Sequence, residues 1–211
     1  MENNIDSNEV KNDNAAINTP NKVAQPKWKE HVKNAWDLIK FAAIALAIVV
    51  PIRMFIAQPF VVSGESMFPT FDNGQYLIVD EISYSLYGPH RGDVVVFHYP
   101  EDPSRFFIKR IIGLPNEKVE VKANSVTIYN NENPNGFALT ENYVNEKPFT
   151  TTGTWTTGKD EYFVMGDNRN RSSDSRMWGL LPRKLMVGRV YLRLLPLKTM
   201  SLLPGAFKES K

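Results

Sequence analysis

The chain has 211 residues, of which 42% are hydrophobic and 23% are charged. This balance is that of an ordinary globular protein, which excludes disorder over the whole length. A formal net charge of +2 is too small to indicate a nucleic-acid-binding protein. The sequence contains no cysteine, which excludes disulfides, thiolate zinc sites and cysteine nucleophiles, and its histidines lie in no metal-ligand spacing.

The chain begins with a polar segment. Residues 1–26 are rich in asparagine and carry scattered charges of both signs, a composition that predicts disorder. They do not resemble a signal peptide, because the first apolar run starts too late and no small-residue cleavage site follows it. We predict that residues 1–35 form a largely disordered cytoplasmic tail.

The first strong signal is an apolar run at residues 41–52, which carries no charge and lies between Lys40 and Arg53. Extended to residues 36–58, the run reaches the roughly 20 residues that a membrane-spanning helix needs. The alternative is a buried helix of a soluble core. Lysines predominate before the run, whereas residues 54–90 contain no Lys or Arg. The positive-inside bias therefore predicts one transmembrane helix in the cell membrane, with the N-terminus in the cytoplasm and the main domain outside.

From residue 61 onward, short β-type runs alternate with turn residues, and no helical period of convincing length appears. This pattern predicts a mainly β domain of curved, packed sheets over residues 59–198. Residues 130–159 are polar and are predicted to be a loop-rich insertion, and residues 199–211 a C-terminal tail. The predicted strands cover residues 76–81, 93–99, 106–112, 118–123, 125–130, 161–165 and 187–194.

Three segments carry candidate chemistry, and the first is S-G-E-S-M-F-P-T at residues 63–70. It follows the predicted span directly. Gly64 permits a close backbone approach to Ser66, and Pro69 fixes the turn that follows. Ser66 is a candidate nucleophile, and the alternative is an ordinary turn or capping serine.

The second segment is F-F-I-K-R-I-I-G-L-P at residues 106–115. In a strand, Phe107, Lys109 and Ile111 share one face. A lysine buried between apolar neighbours is desolvated, which lowers its pKa by up to about 3–5 units and yields a neutral amine that can accept a proton. The alternative is an edge-strand lysine whose amine reaches water.

The third segment is G-D-N-R-N-R-S-S-D-S-R-M-W-G at residues 166–179. It is dense in hydroxyl groups and paired charges and has the pattern of neither a strand nor a helix. Such a segment suits a hydrogen-bonding scaffold, in which Asp174 and Arg176 form an ion pair and Ser172 or Ser175 orients another group. The alternative is a solvated loop.

Together, in this order after one N-terminal span, the three segments resemble the bacterial type I signal peptidases. The resemblance covers roughly residues 36–196. It is carried by S-M-F-P-T at 66–70, R-G-D-V-V-V-F at 91–97, K-R-I-I-G-L-P at 109–115 and G-D-N-R followed by S-S-D-S-R-M-W-G at 166–179. The resemblance implies a membrane-bound serine endopeptidase that cuts signal peptides from exported preproteins after Ala-x-Ala-like sequences, without a metal or an organic cofactor.

By position, the resemblance implies that Ser66 is the nucleophile and Lys109 the general base. Ser172 matches the serine that hydrogen-bonds the lysine amine and orients it. Asp174 and Arg176 match the structural ion pair beside the site.

The same resemblance implies that Met67, Ile108 and Met165 line the shallow pockets for small side chains at P1 and P3. One departure is Gly64, which stands where some members have a serine of the oxyanion hole. The hole is therefore assigned to the Ser66 backbone N–H, with the second donor left open. The other departure lies at residues 170–171, where Asn-Arg replaces the more usual Asp-Asn.

The implied partners are signal-peptide-bearing preproteins and the lipid bilayer, with no nucleic acid, and the oligomeric state stays open. Three alternatives remain at this point. The chain could be a self-cleaving serine–lysine protein like the repressors of the DNA-damage response. It could use a histidine base such as His98, as the related endoplasmic reticulum enzymes do. It could also be a membrane-tethered β domain that binds export substrates without cutting them.

Overall fold

A computed structural model describes residues 27–51, 57–123, 125–144, 148–149 and 151–206. The tail predicted over residues 1–26 lies outside the described residues, as does the end of the predicted span at 52–56. The chain divides into two compact units, residues 1–45 and 46–211.

The first element is helix α1, which covers Lys27–Pro51. Its alanines, leucines and lysines favour a helix, and a proline is its last residue. Residues 27–35 are therefore helical, whereas the sequence predicted a disordered tail there. Over the part of the chain that is described, no helix is both long enough and apolar enough for a membrane crossing. The transmembrane helix predicted over residues 36–58 is not confirmed.

The chain beyond α1 is mainly β, as the sequence predicted. Its elements in chain order are β1 (Ala57–Val61), β2 (Tyr76–Asp80), α2 (Ile82–Leu86), β3 (Val94–Tyr99), β4 (Asp102–Gly113), β5 (Lys118–Lys122), β6 (Ser125–Tyr129), β7 (Phe137–Ala138), β8 (Gly153–Thr156), β9 (Glu161–Met165), α3 (Ser175–Trp178), β10 (Leu181–Pro182), β11 (Met186–Leu195) and β12 (Ser201–Leu202). Each of the seven predicted strands corresponds to one observed strand within a few residues.

The strands form two antiparallel sheets. The larger sheet has the order β1-β2-β11-β3-β4-β9-β10, with β12 paired to β11, and the smaller one has the order β7-β6-β5-β8. In β5 and β6 alternate residues are buried, which is the period of a sheet with one face on the core. In β3, by contrast, residues 94–97 are all buried, because both faces of this central strand are covered.

Strand β4 changes character along its length. Its first residues are exposed, but all five residues from Lys109 to Gly113 are buried. Ile111 packs into an apolar cluster with Val95 and Val164, whereas Ile112 packs into a second cluster with Val119. The strand therefore runs from the surface of the domain into its core, and Lys109 is the first of its buried residues.

Two segments are more ordered than the sequence predicted. The insertion predicted at residues 130–159 supplies β7 and β8, which extend the smaller sheet on both sides. The predicted tail at 199–211 contains β12, which pairs with β11. These strands are short and only partly buried, so their sequences carry too little apolar alternation to predict them.

Candidate active site

Ser66 lies in the turn-rich loop between β1 and β2. Gly64 has a φ of +93°, a conformation that favours glycine, and its N–H donates to Asn73 Oδ1 over 2.9 Å. The N–H of Phe71 donates to the carbonyl of Met67 over 2.9 Å, which closes the next turn. The loop thus holds Ser66 half-buried at the protein surface.

Lys109 reaches this serine from strand β4, where it is paired with Val95 of β3. Its side chain is buried, with 4% of the residue exposed. The amine Nζ donates to Ser66 Oγ over 2.8 Å and to the Ile108 carbonyl over 2.9 Å. It also lies 5.2 Å from the centre of the Phe107 ring. The structure therefore brings together the two residues that the sequence singled out.

Burial changes the acid–base behaviour of Lys109. Desolvation lowers the pKa of its amine from 10.5 to about 8, and the negative charges of Asp174 and Asp167 oppose this effect. A substantial share of the amine is therefore neutral in mildly alkaline solution. This is the form that can accept a proton from a hydroxyl group.

The third segment packs directly against the serine loop. A side chain at Gly166 would overlap the carbonyl oxygen of Ser66 and the side chain of Ser172, so the close approach requires glycine. Asn168 holds the same loop with two hydrogen bonds. Its backbone N–H donates to the Ser66 carbonyl over 3.0 Å, and its Nδ2 donates to the Glu65 carbonyl over 3.1 Å.

Asp174 and Arg176 form the ion pair that the sequence predicted. Both side chains are buried, and Arg176 donates from Nε and Nη2 to the two carboxylate oxygens, each over 2.8 Å. Asp174 also accepts from the N–H of Gly166 over 3.0 Å. Ser175, one of the two serines proposed to orient another group, accepts from the Val164 N–H over 3.0 Å.

Ser172 differs from expectation. The family resemblance implied a hydrogen bond between Ser172 and the Lys109 amine, but Ser172 Oγ is buried without a hydrogen-bond partner among the described residues. Arg171 directly precedes Ser172 and is one of the two residues that depart from the family pattern. It is exposed, and its guanidinium pairs with Glu65 at 3.1 Å. Asn170 is exposed and donates to the Pro148 carbonyl over 3.3 Å.

Two further buried ion pairs support the site, and neither was predicted from the sequence. Arg110 donates from Nε and Nη2 to Asp167 over 2.8 and 2.6 Å, and both side chains are fully buried. Arg169 forms a second fully buried pair with Glu141 of the segment at 130–159. The apolar run at 109–112, K-R-I-I, contains a second charged residue, Arg110. A charge in a buried strand needs a buried partner of opposite sign, so this pattern could have predicted an ion pair.

A cleft of about 470 Å³ opens beside the two residues. Its walls are mostly apolar and include Ile108, as predicted for a substrate-binding position. Met67 and Met165 do not line this cleft. They are 1% and 0% exposed, because each packs inside an apolar cluster of the core.

His98, the candidate for a histidine base, lies elsewhere. Its Nδ1 is 2.7 Å from the Pro103 carbonyl, and its ring packs 4.5 Å from the ring of Phe106. The amine of Lys109 is the group bonded to the hydroxyl of Ser66. In the described part of the chain, no group of three His, Asp or Glu side chains could hold a metal ion.

Sequence similarity relates this chain to known proteins. Residues 35–195 match the family model described as signal peptidase, peptidase S26. The chain is 31% identical to a signal peptidase I of Enterococcus faecalis whose crystal structure is known. That match covers 48% of this chain and 96% of the other, with a TM-score of 0.41.

Curated relatives match most of the chain. A probable signal peptidase I-1 of Synechocystis is 36% identical, over 78% of this chain and 87% of its own length. Signal peptidase I of Leptolyngbya laminosa is 40% identical, over 75% and 78%. Signal peptidase IB of Staphylococcus aureus is 34% identical, over 78% and 91%. The chain therefore belongs to the signal peptidase family, peptidase S26, and is a serine endopeptidase.

Proposed function

We propose that this chain is a membrane-bound signal peptidase that removes N-terminal signal peptides from exported preproteins, with Ser66 as the nucleophile and Lys109 as the general base. The observation that carries the proposal is the 2.8 Å contact between Lys109 Nζ and Ser66 Oγ, made by an amine that is almost completely buried. Membership of the family supplies the class of substrate.

The first step is a proton transfer. The protonated amine donates to Ser66 Oγ, but when the amine is neutral the same short contact lets the hydroxyl donate to Nζ. As the proton moves to Lys109, Oγ attacks the scissile carbonyl carbon and a tetrahedral oxyanion forms. The dyad thus follows the serine–histidine logic with a lysine as the base.

The later steps return the proton. The Lys109 ammonium gives its proton to the leaving amine as the peptide C–N bond breaks, which leaves an ester on Ser66 and a neutral lysine. A water molecule then loses a proton to Nζ and attacks the ester carbonyl. Breakdown of this second tetrahedral intermediate releases the carboxyl end of the signal peptide and restores the Ser66 hydroxyl.

The oxyanion needs hydrogen-bond donors. The Ser66 N–H has no hydrogen-bond partner among the described residues, so it is free to donate to the oxyanion. Gly64 has no side-chain donor, and its own N–H is already bonded to Asn73. We therefore assign one donor to Ser66 and keep the second open.

We further propose that Asp174 and Arg176 keep the loop at 166–179 in place, and that Ser172 orients the amine in the substrate complex. The unpartnered hydroxyl of Ser172 supports this role, since a buried hydroxyl without a partner is unfavourable.

The apolar cleft supports a preference for small residues before the scissile bond. Its walls include Phe60, Leu77 and Ile108, which would hold an extended apolar peptide beside Ser66. We propose that alanines of an Ala-x-Ala sequence bind there. Replacing the alanine at P1 by leucine should lower kcat/KM strongly, whereas glycine or serine should be tolerated.

We propose that helix α1 anchors the chain in the cell membrane, with the N-terminus in the cytoplasm. The uncharged run at 41–52 and the exposure of the apolar side chains of α1 support this proposal: Leu38, Phe41 and Ile44 are 68%, 72% and 60% exposed. Full-length protein should stay in the membrane pellet after extraction with alkaline carbonate. Its release into the supernatant would contradict the anchor.

The catalytic assignment is tested by incubating the full-length protein with a preprotein and determining the product masses. We expect one cut after the Ala-x-Ala sequence, and no cut by Ser66→Ala or Lys109→Ala. Matched controls are Ser104→Ala and Lys122→Ala, which remove the same side chains from exposed positions. Cleavage at the full rate by either dyad variant would refute the assignment.

A further inference from the structure

A second cleft opens beside the loop that carries Ser66. It has a volume of about 450 Å³ and is lined by Glu65, Phe68, Phe71, Asp72, Asn73, Asn168 and Arg171. It shares no lining residue with the apolar cleft. Glu65 of the second cleft and Ser66 of the first are chain neighbours, whose Cα atoms lie about 3.8 Å apart. A peptide held at Ser66 therefore reaches the second cleft within a few residues.

We propose that this second cleft binds the first residues after the scissile bond and that it favours a lysine or an arginine there. The inference rests on the proposed function and adds a preference on the mature side of the substrate. The apolar cleft suits the end of a signal peptide, so the chain that follows the cut must leave that cleft. The second cleft borders the same loop, and five of its seven lining residues are polar.

The charges of the cleft favour a cation. Its ionisable residues are two acids, Glu65 and Asp72, and one base, Arg171. Arg171 is paired with Glu65 at 3.1 Å, so these two charges largely compensate each other. The carboxylate of Asp72 accepts from the neutral amide of Gln75 over 3.2 Å. A positively charged side chain in this cleft therefore meets the carboxylate of Asp72, which forms no ion pair with any residue that the structure describes.

The apolar part of the cleft fits the stem of the same side chains. Phe68 is 49% exposed although it lies beside a buried aromatic, Phe71. The methylene groups of lysine and arginine pack on apolar surface while the charged end stays in a polar environment. A cation near an aromatic ring gains a further electrostatic attraction. The aromatic wall and the acid together therefore select a long basic side chain.

Asn168 provides an independent sign that the cleft is incomplete without a peptide. It is 9% exposed and lines the cleft, and its Oδ1 has no hydrogen-bond partner among the described residues. Its orientation follows from its other contact: the Glu65 carbonyl can only accept, so Nδ2 must face it. The acceptor Oδ1 is thus buried and unpaired in the free protein, and a shift of the side chain towards a bound peptide would give it a donor such as a backbone N–H.

The test uses full-length enzyme and three peptides that share one signal-peptide end and differ only in the second residue after the scissile bond: lysine, glutamine or glutamate. We expect kcat/KM to fall in that order, with the lysine peptide about five-fold better than the glutamate peptide, as for exposed ion pairs. Asp72→Asn should reduce this ratio to about two or less. Asp160→Asn, which removes a charge from a 72% exposed side chain outside the cleft, should leave the ratio unchanged.

Equal rates for the three peptides with the wild-type enzyme would overturn the inference, as would an unchanged ratio in Asp72→Asn. A preference for glutamate that disappears in Arg171→Gln would overturn it as well, because the cleft would then select an anion. If the wild-type enzyme cuts no peptide, the proposed function itself fails and the inference falls with it. Cleavage of all three at one bond keeps the proposed function intact, whichever way the ratio turns out.

Discussion

The pH dependence of the reaction follows from the burial of Lys109. The perturbation is the pH of the assay, varied from 6 to 10 with the full-length wild-type protein and one peptide substrate. Because desolvation lowers the pKa of the amine to about 8, its neutral form increases across the middle of this range. The proposed mechanism requires the neutral form, so kcat/KM should increase with pH.

The size of the expected change in kcat/KM follows from the same pKa. With a pKa of about 8, roughly one tenth of the amine is neutral at pH 7, half at pH 8 and nine tenths at pH 9. We therefore expect kcat/KM to rise about ten-fold from pH 7 to a plateau near pH 9, with its midpoint at the pKa of the free enzyme. A lysine with its usual pKa of 10.5 would still be increasing in activity at pH 10.

The assay is the initial rate of cleavage, measured at substrate concentrations well below KM. Buffers of equal ionic strength keep screening constant. A flat profile between pH 6 and 10, or a midpoint near 10.5, would refute the assignment of Lys109 as a desolvated base. Lys109→Arg provides the matched control: a guanidinium stays charged at every pH of the assay, so this variant should be inactive throughout.

Three further predictions concern the residues around the dyad. Lys109→Met should be more stable than the wild type at pH 7 by at most about 3 kcal/mol, at 1.36 kcal/mol for each pKa unit. The pKa of Lys109 is lower in the folded protein than in the unfolded chain, so the wild type gains stability as the pH rises from about 8 to 10.5. The difference in the free energy of urea unfolding between Lys109→Met and the wild type should therefore decrease over this range. Gly166→Ala should lower kcat about a hundred-fold by displacing Ser66, with a near-UV circular dichroism spectrum that still shows a packed core. Asn168→Ala removes the hydrogen bond to the Glu65 carbonyl and should cost about 1 kcal/mol in urea unfolding and lower kcat, whereas an unchanged kcat would contradict the role of Asn168.

The sequence predicted the strands well wherever apolar residues alternate or form a continuous run. The strand at 161–165 was predicted with its observed bounds, because its residues are nearly all buried and it is bounded by turn residues. Strand β8 was not predicted, since it consists of glycine, two threonines and one tryptophan and is half-exposed. Its place in the smaller sheet depends on pairing with β5, which no local pattern records.

The residues of the candidate site also differ in how far the sequence predicts them. Ser66 and Lys109 could be predicted because their segments are distinctive, although they are far apart in the chain. Asp167 and Glu141 could not be assigned partners from the sequence, because each pairs with an arginine from another part of the fold. Ser172 was predicted to bond the lysine, but the direction of a hydroxyl depends on side-chain rotation, which the sequence does not determine.

Two buried carboxylates of the scaffold also act on the base. Asp174 and Asp167 raise the pKa of Lys109, and with unpaired carboxylates this effect would favour the ammonium form that cannot act as a base. Each carboxylate is instead held by an arginine, Asp174 by Arg176 and Asp167 by Arg110. Desolvation is nevertheless the larger effect, so the pKa of the amine falls to about 8. The carboxylates of the two ion pairs therefore act both on the loop and on the lysine, and the scaffold and the base are parts of one electrostatic arrangement.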